Sequence, residues 1–193
     1  HSEDGLTALH LAAQEDRLDV VKYLVERGAD LEISDKIVRT PLHLAAQKGS
    51  LDIVKYLIEK GADIRALDKY SKTPLYLAAQ KGRLNVVKYL LDKEPDNISD
   101  QVGRTPLHWA ALEGRLVLVK YLVEQGADIR ITDKDGWTPL HFAAYNGGLN
   151  VVKYLQEKDG DLKISDQYGW TPLHLAAFKG GLDVVKYLVE HRV

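Results

Sequence analysis

The chain has 193 residues, of which 45% are apolar and 28% are charged, a composition typical of a folded protein and unlike that of a disordered one. Its 26 lysines and arginines nearly balance 28 aspartates and glutamates, so the net charge of −2 provides no general attraction to nucleic acid or to an anionic membrane. The absence of cysteine excludes disulfides and thiolate chemistry within these residues, and no apolar run approaches the ~20 residues of a membrane helix.

One phrase recurs along the whole chain and predicts stacked repeats. It reads TPLHLAAQKG from Thr40, and related versions begin every 32 or 33 residues, at Thr7, Thr73, Thr105, Thr138 and Thr171. A second phrase, LDIVKYLIEKGAD from Leu51, returns at the same offset. A period of this size is typical of a solenoid in which each repeat is one supersecondary unit.

The first phrase predicts a short helix. Thr40 suits the N-cap because its hydroxyl can accept a hydrogen bond from a first-turn N–H, and Pro41 suits the first helical position, where no partner for an N–H exists. Gly49 is expected to end the helix in the left-handed conformation. A narrow apolar face would pack against neighbouring helices; it consists of Leu42, Ala45 and Ala46.

The second phrase predicts another helix and a loop. Asp52 lies in its first turn, Gly61 closes it, and apolar residues recur at helical spacing at Leu51, Val54, Leu57 and Ile58. The polar, turn-rich stretch ADLEISDKIVR from Ala29 is long enough for a hairpin-like projection, here called a finger. Helix, turn, helix and finger therefore form the predicted repeat.

These phrases resemble the ankyrin repeat family, whose pattern is close to DxxGxTPLHxAAxxGxxxxVxxLLxxGAD. The resemblance extends from about Glu3 to Val193. The resemblance implies an all-α, ankyrin-type solenoid of six stacked helix-turn-helix repeats with hairpin-like finger loops. We predict a single ankyrin repeat domain over 1–193, part of a longer array, with repeats at about 1–34, 35–67, 68–99, 100–132, 133–165 and 166–193. Asp16 departs from the family pattern where a glycine is usual between the helices.

The recurring histidines predict architecture and not catalysis. His43, His108, His141 and His174 lie in helices expected ~8–10 Å apart, too far for two rings to share one zinc ion. We expect each imidazole to bond its own helix cap or the adjacent finger, and Tyr76 replaces histidine in the third repeat. No nucleophile with a local base and no phosphate-binding glycine loop is recognisable, so we expect no enzyme activity, cofactor or metal.

A Lys-Tyr pair occurs in every second helix. Lys55 precedes Glu59, and Lys186 precedes Glu190, by four residues, which predicts ordinary helix ion pairs. The alternative is a lysine ridge that senses anionic surfaces. The tyrosines are expected to lean on one another, with their hydroxyls in water.

The resemblance also implies a binding surface, because the fingers and the exposed positions of the first helices line the concave, partner-binding face in this family. Its chemistry changes along the chain, from basic in repeats two and three to aromatic in repeats five and six. The predicted partner-binding residues are Lys36, Arg39, Lys48, Lys69, Tyr70, Lys72, Lys81, Arg104, Leu112, Trp137, Tyr145, Tyr168, Trp170 and Phe178. For the tryptophans before Thr-Pro, packing of the finger is an equal alternative, and Trp109 and Phe142 are expected in the core.

The sequence thus predicts a non-catalytic scaffold located in the cytoplasm or nucleus. Its expected partner is a protein with an acidic segment next to an apolar or aromatic one. Binding to nucleic acid and insertion into a membrane are not expected. The alternative is an engineered or purely structural array without a natural ligand. The last repeat keeps the apolar pattern of inner repeats, so we expect a monomer or weak end-to-end self-association. Glu94-Pro95-Asp96 replaces Gly-Ala-Asp, which predicts the weakest inter-repeat contact there.

Overall fold

The computed structural model describes residues 3–93 and 99–191, and over these residues the chain is helical with turns and no strand. The predicted junction at Glu94-Pro95-Asp96 lies outside the described residues. The helices are α1 (Ala8–Gln14), α2 (Leu18–Glu26), α3 (Pro41–Lys48), α4 (Leu51–Glu59), α5 (Pro74–Gln80), α6 (Leu84–Lys93), α7 (Pro106–Leu112), α8 (Leu116–Glu124), α9 (Pro139–Tyr145), α10 (Leu149–Glu157), α11 (Pro172–Lys179) and α12 (Leu182–Glu190).

The first compact unit, residues 1–98, contains α1 to α6. Consecutive helices pair, α1 with α2, α3 with α4 and α5 with α6, and each pair is one helix-turn-helix repeat. The first helices form one layer, in which α3 lies between α1 and α5, and the second helices form another, in which α4 lies between α2 and α6.

The second compact unit, residues 99–193, contains α7 to α12 in the same arrangement. Here α9 lies between α7 and α11, and α10 lies between α8 and α12. The six helix pairs confirm the predicted all-α class. The prediction of one domain over 1–193 stays a prediction.

Thr-Pro begins the first helices, as predicted. Thr40 is extended and Pro41 occupies the first turn of α3. The hydroxyls of Thr7, Thr73 and Thr138 each accept a hydrogen bond from the backbone N–H three residues later. The alanines behind this cap are buried in α1, α3, α5, α7 and α9, whereas in α11 Ala176 is buried and Ala177 is exposed. Because a methyl group is the smallest apolar side chain, the first helices can pack closely at these positions.

The turn between the two helices of a repeat requires a left-handed residue. Gly49 and Gly180 end α3 and α11 with φ of 96° and 77°. Asp16 occupies the equivalent position in the first repeat with φ of 59°. Only glycine adopts this conformation without a steric cost, so the departure from the family pattern at Asp16 stores local backbone strain.

The Lys-Tyr pairs link neighbouring second helices in a way that the sequence did not predict. The ammonium of Lys55 lies 5.8 Å from the ring centroid of Tyr89 in the next repeat, and that of Lys153 lies 5.3 Å from Tyr187. Within the described residues, neither Lys55 with Glu59 nor Lys186 with Glu190 forms an ion pair. The expectation of helix ion pairs was therefore wrong for both lysines, and Lys55 lies over an aromatic face instead.

The tyrosine hydroxyls are also less exposed to water than expected. Those of Tyr56 and Tyr154 are buried without a hydrogen-bond partner among the described residues, and that of Tyr187 donates to the side-chain oxygen of Gln156. Burial raises the pKa of Tyr154, and the nearby carboxylates of Glu124 and Glu157 raise it further. These rings are structural parts of the second-helix layer.

Candidate functional site

Each of the five fingers from the first repeat's second helix onward is closed by one aspartate. The carboxylate of Asp35 accepts hydrogen bonds from the backbone N–H groups of Ile37 (3.0 Å) and Arg39 (2.9 Å), and the Asp35 N–H donates to the Arg39 carbonyl (3.1 Å). An aspartate that bonds the amides ahead of it is a common way to stabilise a turn. Equivalent carboxylate bonds form at Asp68, Asp100, Asp133 and Asp166.

Neighbouring fingers are joined by backbone hydrogen bonds within each unit. In the first unit, the N–H of Lys69 donates to the carbonyl of Ile37 at 2.9 Å, and in the second unit the N–H of Lys134 donates to the carbonyl of Val102 at 2.9 Å. The fingers are thus hairpin-like turns held in register by their backbone, which leaves their side chains available for other contacts.

Four histidines, His10, His43, His108 and His141, join their first helix to the next finger, which confirms the structural hypothesis for them. Nδ1 of His43 accepts the backbone N–H of Thr40 at 3.1 Å, while Nε2 lies 3.0 Å from the carbonyl of Lys72. Only a neutral ring with its proton on Nε2 satisfies both partners. Equivalent links run from His10 to Arg39, from His108 to Trp137 and from His141 to Trp170.

Burial favours the neutral form of these rings. It lowers the pKa of His43, His108 and His141, although a backbone carbonyl and nearby aspartates act in the opposite direction. A group of three side chains able to hold a metal ion does not occur in residues 3–93 or 99–191. The histidines therefore act as joints between repeats, with both ring nitrogens already engaged.

The aromatic residues predicted for repeats five and six come together in the second unit. They line a groove of about 390 Å³, here called the aromatic groove, whose walls are Trp137, Tyr145, Tyr168, Trp170, Leu175 and Phe178 together with Arg104, Asp135 and Asp166. The fingers supply Arg104 and residues within 135–137 and 166–170, and α9 and α11 supply Tyr145, Leu175 and Phe178. The five aromatic residues predicted for repeats five and six thus line one continuous surface.

The outer wall of the groove is strongly exposed. Tyr168 is 72% exposed, Phe178 is 68% exposed and Trp170 is 40% exposed. The Trp170 and Phe178 rings meet edge to face with their centroids 5.7 Å apart. Large aromatic side chains rarely remain this accessible in a cluster unless they contact something else.

Trp137 forms the inner wall and belongs largely to the scaffold. Its indole N–H donates to the carboxylate of Asp166 at 2.9 Å, and its ring packs against Phe142 and Tyr145, with centroids 5.1 and 5.6 Å away. The alternative that this tryptophan packs the finger is therefore borne out. Burial alone would raise the pKa of Asp166, but hydrogen bonds from the amides of Trp170 and Tyr168 and from this indole lower it overall.

The comparison with protein families decides what kind of repeat this is. A family model for ankyrin repeats (3 copies) matches residues 1–68, 42–133 and 118–193. The chain belongs to the ankyrin repeat family. Comparison with curated proteins gives no match. Ankyrin repeats generally act as protein-binding modules.

In this ankyrin repeat chain, the basic residues predicted in the first unit differ in how free their charges are. Arg39 is half-buried and pairs with Asp35 at 2.7 Å, and the Lys72 ammonium lies 4.6 Å from the Tyr76 ring centroid. Tyr70 is exposed, as are the four lysines Lys36, Lys48, Lys69 and Lys81. These lysines are the better candidates for contacts with an anionic partner.

The sequence prediction missed some residues of the aromatic groove, and some of the residues it named lie outside the groove or have their charge already paired. Arg104 lies in the groove but its Nε donates to Asp133 at 3.1 Å, so its charge is compensated. Leu112 is half-buried and does not line the groove. Asp166 was overlooked, although an aspartate begins five of the fingers and that recurrence could have indicated it. Lys179 does not line the groove, and its ammonium lies 4.6 Å from the Tyr145 ring centroid.

A larger cavity of about 540 Å³ lies elsewhere in the second ankyrin unit. It contains none of the predicted residues and is lined by Ile129, Arg130, Thr138, Leu140, Asp159, Gly160, Asp161 and Ile164. Arg130 and Asp159 form an ion pair there, and Asp161 adds a second carboxylate to the lining. Across the described ranges, each helix is too short or too polar to cross a bilayer.

Proposed function

We propose that this ankyrin repeat chain is a non-catalytic scaffold that binds a protein partner through the aromatic groove. The observation that supports this most strongly is the exposure of Tyr168, Trp170 and Phe178 in one cluster. Aromatic side chains dominate the energetics of protein interfaces because they bury large areas with little loss of conformational entropy. Cytoplasm or nucleus remains the proposed location.

The groove residues have two different roles in this proposal. Trp137 is held by Asp166 and neighbouring rings, so it shapes the groove and contributes a preformed wall. Tyr168 and Phe178 have most of their surface free and supply the contact area. Truncating a buried interface aromatic costs ~2 kcal/mol or more of binding free energy.

The proposed partner carries an apolar or aromatic segment for the groove and an acidic segment for the lysines. Lys36, Lys48, Lys69 and Lys81 are exposed in the first unit. Exposed charges of this kind chiefly raise the association rate and its sensitivity to salt. The combination of Lys36→Glu and Lys69→Glu is therefore expected to slow association most at low ionic strength.

The groove is tested by affinity capture from cell lysate with three baits. The wild-type chain is compared with Tyr168→Ala/Phe178→Ala and with the matched control Val20→Ala/Val117→Ala, which truncates exposed apolar residues of α2 and α8. Proteins retained by wild type and control but lost from the groove variant support the proposal. The same proteins on all three baits would place binding elsewhere, and no specific protein on any bait would favour an array without a natural ligand.

A further inference from the structure

The lysines of the first unit differ in what their ammonium groups contact. At the second helices, four ammonium groups lie between 5.5 and 6.0 Å from the ring centroid of Tyr56 or Tyr89; they belong to Lys22, Lys55, Lys60 and Lys93. Four others form no ion pair and lie over no ring among the described residues; they belong to Lys36, Lys48, Lys69 and Lys81. The free lysines of this unit are thus confined to the fingers and the ends of the first helices.

Lys36 and Lys69 occupy the same position in two consecutive fingers. The N–H of Lys69 donates to the carbonyl of Ile37 at 2.9 Å, so the backbones of the two fingers are held in register. Neighbouring packed helices are ~8–10 Å apart, and the fingers follow the same spacing because each belongs to one repeat. The two lysines therefore present one cation per repeat at a fixed interval.

The carboxylates of these fingers do not neutralise the two lysines. Asp35 and Asp68 are each 7% exposed, and each accepts hydrogen bonds from two amides of its own turn. The equivalent position holds Glu3 in the repeat before and Gln101 in the repeat after. The row of cations is therefore limited to repeats two and three.

The same two fingers carry exposed apolar surface and backbone strain. Tyr70 is 62% exposed and Val38 is 45% exposed. Val38 and Ser71 have φ of 62° and 57°, at the position where the other described fingers have glycine. A left-handed conformation is unfavourable for a β-branched residue, and strained residues of this kind cluster at sites that contact a ligand. The strain at Val38 is expected if its side chain makes a contact outside this chain.

We infer that the fingers of repeats two and three form a docking site, here called the finger row, which consists of Lys36, Val38, Lys69 and Tyr70. Its ligand is a segment of a partner protein in the polyproline II conformation, with an acidic residue at every third position. This conformation has three residues per turn and rises ~3.1 Å per residue, so side chains three residues apart lie on one side, ~9.3 Å apart. That interval matches the spacing of the repeats, and each acidic residue pairs with one lysine.

The residues between the two acidic ones pack against Tyr70 and Val38. Proline suits these positions, because polyproline II segments dock on exposed aromatic side chains. An acidic segment also favours an extended backbone over a helix, since like charges three or four residues apart destabilise a helix. The inference rests on the proposed function and specifies the conformation and the charge spacing of the acidic segment that was assigned there to the lysines.

The test uses two dye-labelled peptides with blocked ends and identical composition, titrated with the full chain at low ionic strength and followed by anisotropy. Pro-Pro-Glu-Pro-Pro-Glu-Pro-Pro has the matching interval, whereas Pro-Pro-Glu-Pro-Glu-Pro-Pro-Pro places its glutamates too close together and on different sides. We expect the first peptide to bind about threefold more tightly, which is the contribution of one exposed ion pair. Equal affinity of the two peptides, or no binding of either, would overturn the inference.

The variant Lys36→Gln/Lys69→Gln removes both cations of the finger row and is expected to bind the two peptides weakly and equally. The matched control Lys60→Gln/Lys93→Gln removes the same charge from the second-helix layer of the same unit and should keep the preference for the matching interval. Equal weakening by both variants would show only general attraction between charges and would refute the site. Self-association that Lys36→Gln/Lys69→Gln abolishes would identify a second copy as the occupant instead.

The finger row and the aromatic groove can fail separately. A captured partner that is lost with Tyr168→Ala/Phe178→Ala but is unaffected by Lys36→Gln/Lys69→Gln at low ionic strength would refute the finger row and leave the groove proposal intact. Peptides that show the expected preference, together with captured proteins that are insensitive to Tyr168→Ala/Phe178→Ala, would support the finger row and refute the groove.

Discussion

Acidification is expected to destabilise the second unit through His108 and His141. Burial lowers the pKa of both rings below the ordinary value of 6.5, so between the two values the unfolded chain binds a proton that the folded chain does not. Stability is therefore full above about pH 6.5 and falls as the pH decreases. At its steepest, the unfolding free energy falls by about 1.4 kcal/mol per pH unit for each histidine, and by about 2.7 kcal/mol per pH unit for the pair.

Tryptophan fluorescence isolates this effect, because the three tryptophans, Trp109, Trp137 and Trp170, all lie in the second unit. Urea denaturation at constant ionic strength is measured at half-unit steps from pH 7.5 to 5.0. The variant His141→Gln should lose about half of the slope, and the control His174→Gln, whose ring is exposed, should keep it. An unchanged fluorescence midpoint between pH 7.5 and 5.5 would refute the neutral-histidine joint.

Three further predictions, tested with five substitutions, concern single contacts and are measured by urea denaturation. Asp166→Asn should lower the unfolding free energy by about 1.5–3 kcal/mol, because a buried ionised acceptor is lost, whereas Asp135→Asn, which alters an exposed side-chain bond, should change it by no more than about 0.5 kcal/mol. Asp16→Gly should stabilise the chain by about 1 kcal/mol by relieving its positive φ, and a loss would show that the turn is unstrained. Tyr154→Phe should be neutral or stabilising because its hydroxyl is buried without a partner, while Tyr187→Phe, which loses a hydrogen bond, should cost about 1 kcal/mol.

Local physics made the helices and their ends predictable. Thr40 and Pro41 begin α3 and Gly49 ends it, through effects that act within one helical turn. The period of the chain then placed the histidines one repeat apart. The distance between neighbouring helices excluded a shared metal and left the histidine's own helix cap and the adjacent finger as partners, and His43 contacts both.

Contacts between repeats were harder to predict, since they depend on side chains 29 residues apart, as in Trp137 with Asp166, or further along the chain. Lys55 was paired with Glu59 from their helical spacing, but it lies over Tyr89 in the following repeat. Trp137 and Trp170 follow the same local sequence pattern and nevertheless differ, because only Trp137 has a following finger with an aspartate among the described residues. Sequence identified the aromatic cluster but not which rings were free.

The joint between repeats uses the histidine ring and a backbone carbonyl, so it does not depend on the side chain of the residue that supplies the carbonyl. The accepting residues are two cations, Arg39 and Lys72, and two tryptophans, Trp137 and Trp170. Every residue type supplies the same carbonyl group. Recognition can therefore diverge at this position while the assembly of the repeats is preserved, and grafting a different residue there would alter what the protein binds before it altered how the protein folds.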